Sequence, residues 1–274
     1  LTSKKSAKKM LYDHRPDAII HLAARVGGVK SNTNFVADFF YENTLINTNV
    51  LKAAKDQKIP KLVSLLSTCV YPDNACYPLS EDQLHLGEPH HSNFGYAYSK
   101  RMLEVYSRSI RKQYGLEYIT AIPNNIYGPN DNFDLENGHV IPAIIRKVHH
   151  AKISGEPPVM WGSGGCLREF TYSNDIARSL LNLVENYSED KPINIGKTGE
   201  YSINQVVEKV CKIFEYSGDI IWDKDKPEGQ LRKPSCNKRF LRLYPKFKYT
   251  DIKLGLQETI EWYNETHPKV RGVK

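Results

Sequence analysis

Lys61-Leu62-Val63-Ser64-Leu65-Leu66-Ser67 is a short apolar run that starts directly after Pro60 and closes on a serine. A run of this length without hydrophobic alternation reads as a parallel strand buried on both faces. Toward the N-terminus, Asn43 to Lys58 is a long helical stretch with apolar Leu45, Val50, Leu51, Ala53 and Ala54. Before it, Asp17-Ala18-Ile19-Ile20-His21-Leu22-Ala23-Ala24 is another buried-strand run, preceded by a helical stretch from Ser3 to Asp13 with Thr2 or Ser3 as its cap. Toward the C-terminus, Tyr96 to Tyr114 is helical, Gly115 stands where a capping glycine belongs, and Leu116 to Ile122 is a third strand stopped by Pro123. Strands alternating with helices of these lengths predict an α/β fold, the second half of a doubly wound, Rossmann-type parallel sheet.

Beyond about residue 130 the pattern changes. Val140 to Ala151 is helical and basic, and Pro157 to Trp161 is extended. Asn174 to Asn186 reads as a helix capped by Ser173, and Ser202 with Gln205 forms a capping box for a helix reaching Glu215. Asp251 opens a last helix that ends near Thr266. The expected division is a nucleotide-binding unit over residues 1–133 and a smaller α+β substrate domain over 134–274, with segments around 168–196 returning to the first unit.

Composition narrows the function classes. With 40% hydrophobic and 25% charged residues the chain is ordinary globular protein. No run approaches the roughly 20 apolar residues of a spanning helix, which argues against a membrane protein. The formal net charge of +7 suits anionic ligands. The basic cluster over Arg232–Lys253 lacks an aromatic-interleaved binding pattern, so no nucleic-acid partner is expected. Cys69, Cys76, Cys166, Cys211 and Cys236 are odd in number and lack metal-ligand spacing. They read as reduced thiols of a cytoplasmic protein, with no metal site.

A doubly wound nucleotide-binding sheet normally opens with a strand and a glycine-rich turn. Gly27-Gly28 follows a strand, but the Gly-x-Gly-x-x-Gly spacing is absent. The expectation is an N-terminally incomplete sheet, with two or three strand–helix units (on the order of 50 residues) upstream of Leu1. The strand at 17–24 would then have an exposed edge, and the chain alone would bind its cofactor poorly.

The strongest chemical signal is Tyr96-Ala97-Tyr98-Ser99-Lys100. The i,i+4 spacing puts Tyr96 and Lys100 on one helix face, where an ammonium would favour the phenolate and make Tyr96 a usable acid toward a carbonyl oxygen. Ser67 ends a strand, where ligands bind in such sheets. Strand end, polar loop, then tyrosine helix is the order found in extended short-chain dehydrogenases/reductases, and the chain resembles that superfamily from residue 1 to about 266. Within it, six blocks resemble the GDP-L-fucose synthase family: 22–29, 66–72, 92–100, 123–133, 138–142 and 161–170.

That resemblance implies 3,5-epimerisation of GDP-4-keto-6-deoxy-D-mannose followed by 4-reduction with NADPH. It implies Cys69 and His139 as the epimerisation acid and base, two side chains that exchange protons near neutrality. Tyr96 would protonate O4, Ser67 would hydrogen-bond the same oxygen, and Lys100 would tune Tyr96 and hold the nicotinamide ribose. Ala23, Ala24, Lys100, Asn125 and His139 match NADP(H)-contacting positions. Among the basic candidates Arg146, Lys147, Arg168, Arg232 and Lys233, the resemblance assigns Lys147, Arg168 and Lys233, with Trp161, to the GDP part of the substrate. It also implies a homodimer through the helices at 43–58 and 96–114. Two rival readings are another nucleotide-sugar epimerase or dehydratase, and an inactive nucleotide-sugar-binding module that lacks its phosphate loop.

Overall fold

The computed structural model describes residues 1–226 and 229–273. Its first half runs α1 (Lys4–His14), β1 (Ala18–His21), α2 (Val29–Asn34), α3 (Val36–Asp56), β2 (Lys61–Leu65), α4 (Phe94–Tyr114), β3 (Glu117–Ile122) and β4 (Asn125–Tyr127). The second half runs α5 (Val140–Ser154), β5 (Val159–Trp161), β6 (Leu167–Tyr172), α6 (Ser173–Asn186), β7 (Ile193–Asn194), β8 (Glu200–Ser202), α7 (Ile203–Phe214), β9 (Ile221–Asp223), α8 (Lys238–Leu243) and α9 (Ile252–Thr266).

Among the described residues β1, β2, β3 and β7 form a parallel sheet in that order, with Ile20 opposite Val63 and Val63 opposite Ile119. Successive side chains explain the continuous apolar runs. Leu62 and Tyr118 point into a core with Leu11, Val50, Leu51 and Leu103 from α1, α3 and α4. Their neighbours Val63 and Ile119 point into the opposite core with Ile176, Leu180 and Leu183 of α6. Both faces are covered, as a doubly wound sheet requires. A third core unites Phe133, Ile145, Phe170, Val207, Leu256 and Tyr263 beneath the small sheets β4–β6–β8 and β5–β9.

Several local expectations shift. The strand expected over 17–24 pairs only over Ala18–His21, so Leu22 to Ala24 are loop at the sheet's C-terminal end. The strand at 61–67 ends at Leu65. Ser173 lies inside α6 rather than capping it; Tyr172 holds the cap position and makes no side-chain cap bond. Ser3, Gly115, the Ser202–Gln205 box and Asp251 serve as caps. Helix α2 has no counterpart in the sequence reading, because Val-Lys-Ser-Asn-Thr-Asn carries no apolar period.

Gly95 fixes the start of the tyrosine helix. A Cβ there would stand 2.6 Å from the Val36 carbonyl oxygen, so α4 approaches the first turn of α3 only because the side chain is missing.

Candidate active site

The C-terminal ends of β1, β2 and β3 face the second lobe across a cleft of about 580 Å³. Ser67, Cys69, Tyr96, Lys100, Asn125 and His139 line it, as do Ala24, Lys147, Trp161, Arg168 and Lys233. Ala23 is not among the lining residues. The other two basic candidates are occupied elsewhere. Arg146 donates to the carbonyls of Phe133 (3.0 Å) and Gly272 (2.7 Å), and Arg232 pairs with Glu200.

The floor is built by the sheet. After β2 the chain turns through Thr68–Val70, where the Ser67 hydroxyl accepts from the Cys69 N–H at 3.3 Å. This turn is pinned from below, because the buried Arg101 guanidinium donates to the Val70 carbonyl at 2.7 Å. Lys100 is 2% exposed and donates to the Leu65 carbonyl at 2.8 Å, which ties α4 to the end of β2. Burial lowers its pKa to about 8. The ammonium stands 5.8 Å from the Tyr96 ring centre.

The expected lowering of the Tyr96 pKa is not seen. Burial raises it above the ordinary phenol value, and the neighbouring Cys69 adds to the effect. Desolvation of the phenolate outweighs an ammonium at this distance whose own charge is disfavoured by burial. Tyr96 is therefore held protonated, as a hydrogen-bond donor. Behind Lys100, the buried His21 ring places Nε2 3.1 Å from the Asn47 amide oxygen, and Asn47 donates to the Ser99 carbonyl at 3.3 Å. Burial and the nearby Lys100 charge lower the His21 pKa to about 4.

The opposite wall is loop-built. His139 precedes α5, is half exposed and stands 3.9 Å from the Asp131 carboxylate. The Lys147 ammonium lies 5.2 Å over the Trp161 ring, and burial lowers its pKa. Arg168 donates to the carbonyls of Leu167 (2.7 Å) and Leu231 (3.3 Å). Lys233 reaches across to the other wall, with Nζ 3.6 Å from Cys69 Sγ. The sequence reading missed the strap joining the walls at the mouth. Lys30 of α2 pairs with Glu136, and Ser31 donates to the Asn137 amide oxygen at 2.7 Å. No sequence pattern announces contacts between polar residues 106 positions apart.

The residues present fit a nicotinamide ribose. Lys100 is a buried ammonium with three donors, and the Leu65 carbonyl takes one of them. Leu22, 55% exposed, supplies an apolar wall at the same end of the sheet. Among the described residues no group of three or more His, Cys, Asp or Glu side chains could hold a metal ion, and no helix is long and apolar enough to cross a membrane.

Comparison with known proteins places this architecture. Residues 1–196 match the NAD dependent epimerase/dehydratase family. The chain is 39% identical over 273 residues to a GDP-L-fucose synthase of Dictyostelium discoideum, covering 99% of this chain and 85% of that one. It is 39% identical over 262 residues to a GDP-L-fucose synthase of Sinorhizobium fredii, covering 95% and 83%. The crystal structure of a GDP-L-fucose synthetase from Naegleria fowleri bound to NADP superposes with a TM-score of 0.92 at 39% identity, covering 98% of this chain and 83% of that one. The chain therefore belongs to the NAD dependent epimerase/dehydratase family and, within it, to the GDP-L-fucose synthase family.

Proposed function

We propose that this protein makes GDP-L-fucose by epimerising GDP-4-keto-6-deoxy-D-mannose at C3 and C5 and reducing C4. The observation that carries this reading is that a thiol, an imidazole, a protonated phenol and a buried ammonium line one cleft. NADP(H) supplies the hydride when bound, and Lys100, Ala24, Asn125 and His139 would hold it, with Ala23 beside Ala24 outside the cleft lining. Ser67 and Tyr96 hydrogen-bond O4 of the sugar. The C4 ketone acidifies the protons at C3 and C5. Cys69 as thiolate and His139 act on opposite faces of the ring. When one removes a proton, the C–H bond breaks and its electron pair passes toward O4 as an enolate held by Tyr96 and Ser67. The other returns a proton from the far side. In the reduction Tyr96 gives its proton to O4, where the alkoxide that forms is a stronger base than the phenolate left behind.

Lys147, Trp161 and Arg168 form the grip on the GDP part, with Lys233 at its sugar end. Cations and an aromatic face match a diphosphate and a purine. Residues 1–133, together with the returning segments near 168–196, serve the cofactor, and the remainder serves the substrate. Two chains pair through α3 and α4. The exposure of Phe40, Tyr41, Tyr98 and Val105 on those helices supports such an interface. The protein works in the cytoplasm, where its thiols stay reduced.

The test is incubation with the keto sugar and NADPH in deuterium oxide. Deuterium at both C3 and C5, with oxidation of NADPH, is the expected result. Reduction without exchange would point instead to another nucleotide-sugar enzyme, and neither event to a binding module.

A further inference from the structure

We infer that Lys233 is a positioning residue for Cys69, compensating the charge of the sulfur when it acts as the epimerisation base. The inference deepens the proposed function and rests on it for the role of Cys69.

The geometry is built, not incidental. Lys233 and Cys69 are 164 positions apart, yet Nζ lies 3.6 Å from Sγ inside the cleft. The backbone on either side of Lys233 is clamped. Tyr77 donates to the Arg232 carbonyl at 2.8 Å, Leu79 N–H donates to the Pro234 carbonyl at 2.8 Å, and Cys236 N–H donates to the Leu79 carbonyl at 2.9 Å. The Glu169 carboxylate, 3% exposed, accepts from the Ser235 N–H at 2.9 Å and from its hydroxyl at 2.5 Å. Glu169 is itself fixed by the Gly199 N–H (3.2 Å) and the Asn124 amide (3.3 Å). On the other side, Cys69 sits in the turn held by Ser67 and Arg101. Two rigid segments thus deliver one cation to one sulfur.

The chemistry needs such a cation. Removing a proton from carbon requires the thiolate, and an adjacent ammonium stabilises that anion. The C–H bond breaks, the S–H bond forms, and the negative charge moves from sulfur to the enolate.

The test reads Cys69 directly, without substrate. Alkylation by iodoacetamide, a neutral reagent, is followed by peptide mass mapping, with the exposed Cys76 as internal reference. At pH 7, Lys233→Met should slow alkylation of Cys69 at least tenfold and leave Cys76 unchanged, and Lys233→Arg should restore most of the rate. In turnover, Lys233→Met should lower kcat for C3 and C5 exchange more than it raises KM. An unchanged Cys69 rate in Lys233→Met overturns the inference, as does a loss that Lys233→Arg fails to rescue. If the wild-type protein alkylates as expected but does not turn over the keto sugar, the proposed function fails and the Lys233–Cys69 pairing stands.

Discussion

The two walls of the cleft are built differently. The sheet wall carries Ser67, Tyr96 and Lys100 on strand ends and a helix, and it buries its ammonium to 2% exposure. The lobe wall presents His139, half exposed at a helix start, and Lys147 beside Trp161. A wall that is desolvated and tied by carbonyl bonds controls protonation state, because burial dominates its pKa values. The lobe wall offers cations and an aromatic face to an incoming anion, and its Lys147, over Trp161, is itself partly desolvated. On the proposed roles, reduction falls to the first wall, substrate capture to the second, and epimerisation draws a group from each.

The sharpest way to separate the walls is Tyr96→Phe. NADPH oxidation with the keto sugar should fall 10²- to 10⁴-fold, the usual contribution of a placed proton donor, while C3/C5 deuterium exchange falls less. Equal loss of both would mean that the phenol serves the two steps alike. On the other wall, His139→Gln should lower exchange by roughly 10²-fold or more, and lower reduction of an already epimerised ketone far less, through a weaker hold on the cofactor. Failure of both reactions in that variant would remove the division of labour.

A stability measurement probes what lies behind the sheet wall. His21 is buried neutral, and its folded pKa near 4 lies below the ordinary 6.5. The unfolded chain therefore binds more protons between these values, so stability is full above pH 6.5 and is lost as pH falls toward 4. The loss is on the order of 3 kcal/mol. Denaturant unfolding at pH 7 and pH 4.5 should show this slope in the wild type and a flatter one in His21→Asn. Identical slopes would mean that His21 is not the titrating group.

The smallest effect belongs to the grip. Lys147→Met should raise KM for the GDP-sugar about 10- to 100-fold, the worth of one charged hydrogen bond, with kcat nearly unchanged. A kcat effect as large as the KM effect would place Lys147 closer to the chemistry than its position over Trp161 suggests.

Much of this was legible in the chain alone, and for identifiable reasons. The runs at 17–24 and 61–67, which pair over 18–21 and 61–65, read as doubly buried strands because both sheet faces are covered and every second residue must be apolar on each side. Tyr96 and Lys100 were visible because helical spacing is a local property. The caps at Gly115, Ser202 and Asp251 follow local backbone rules. The direction of the Tyr96 shift, the strap from Lys30 to Glu136 and the seat of Lys233 on Cys69 were not legible. Periodicity and capping act over a few residues, so sequence determined the elements and the candidate residues. Desolvation and contacts across more than a hundred positions exist only once the elements pack, so tertiary structure alone decided which charge stands beside which reacting group.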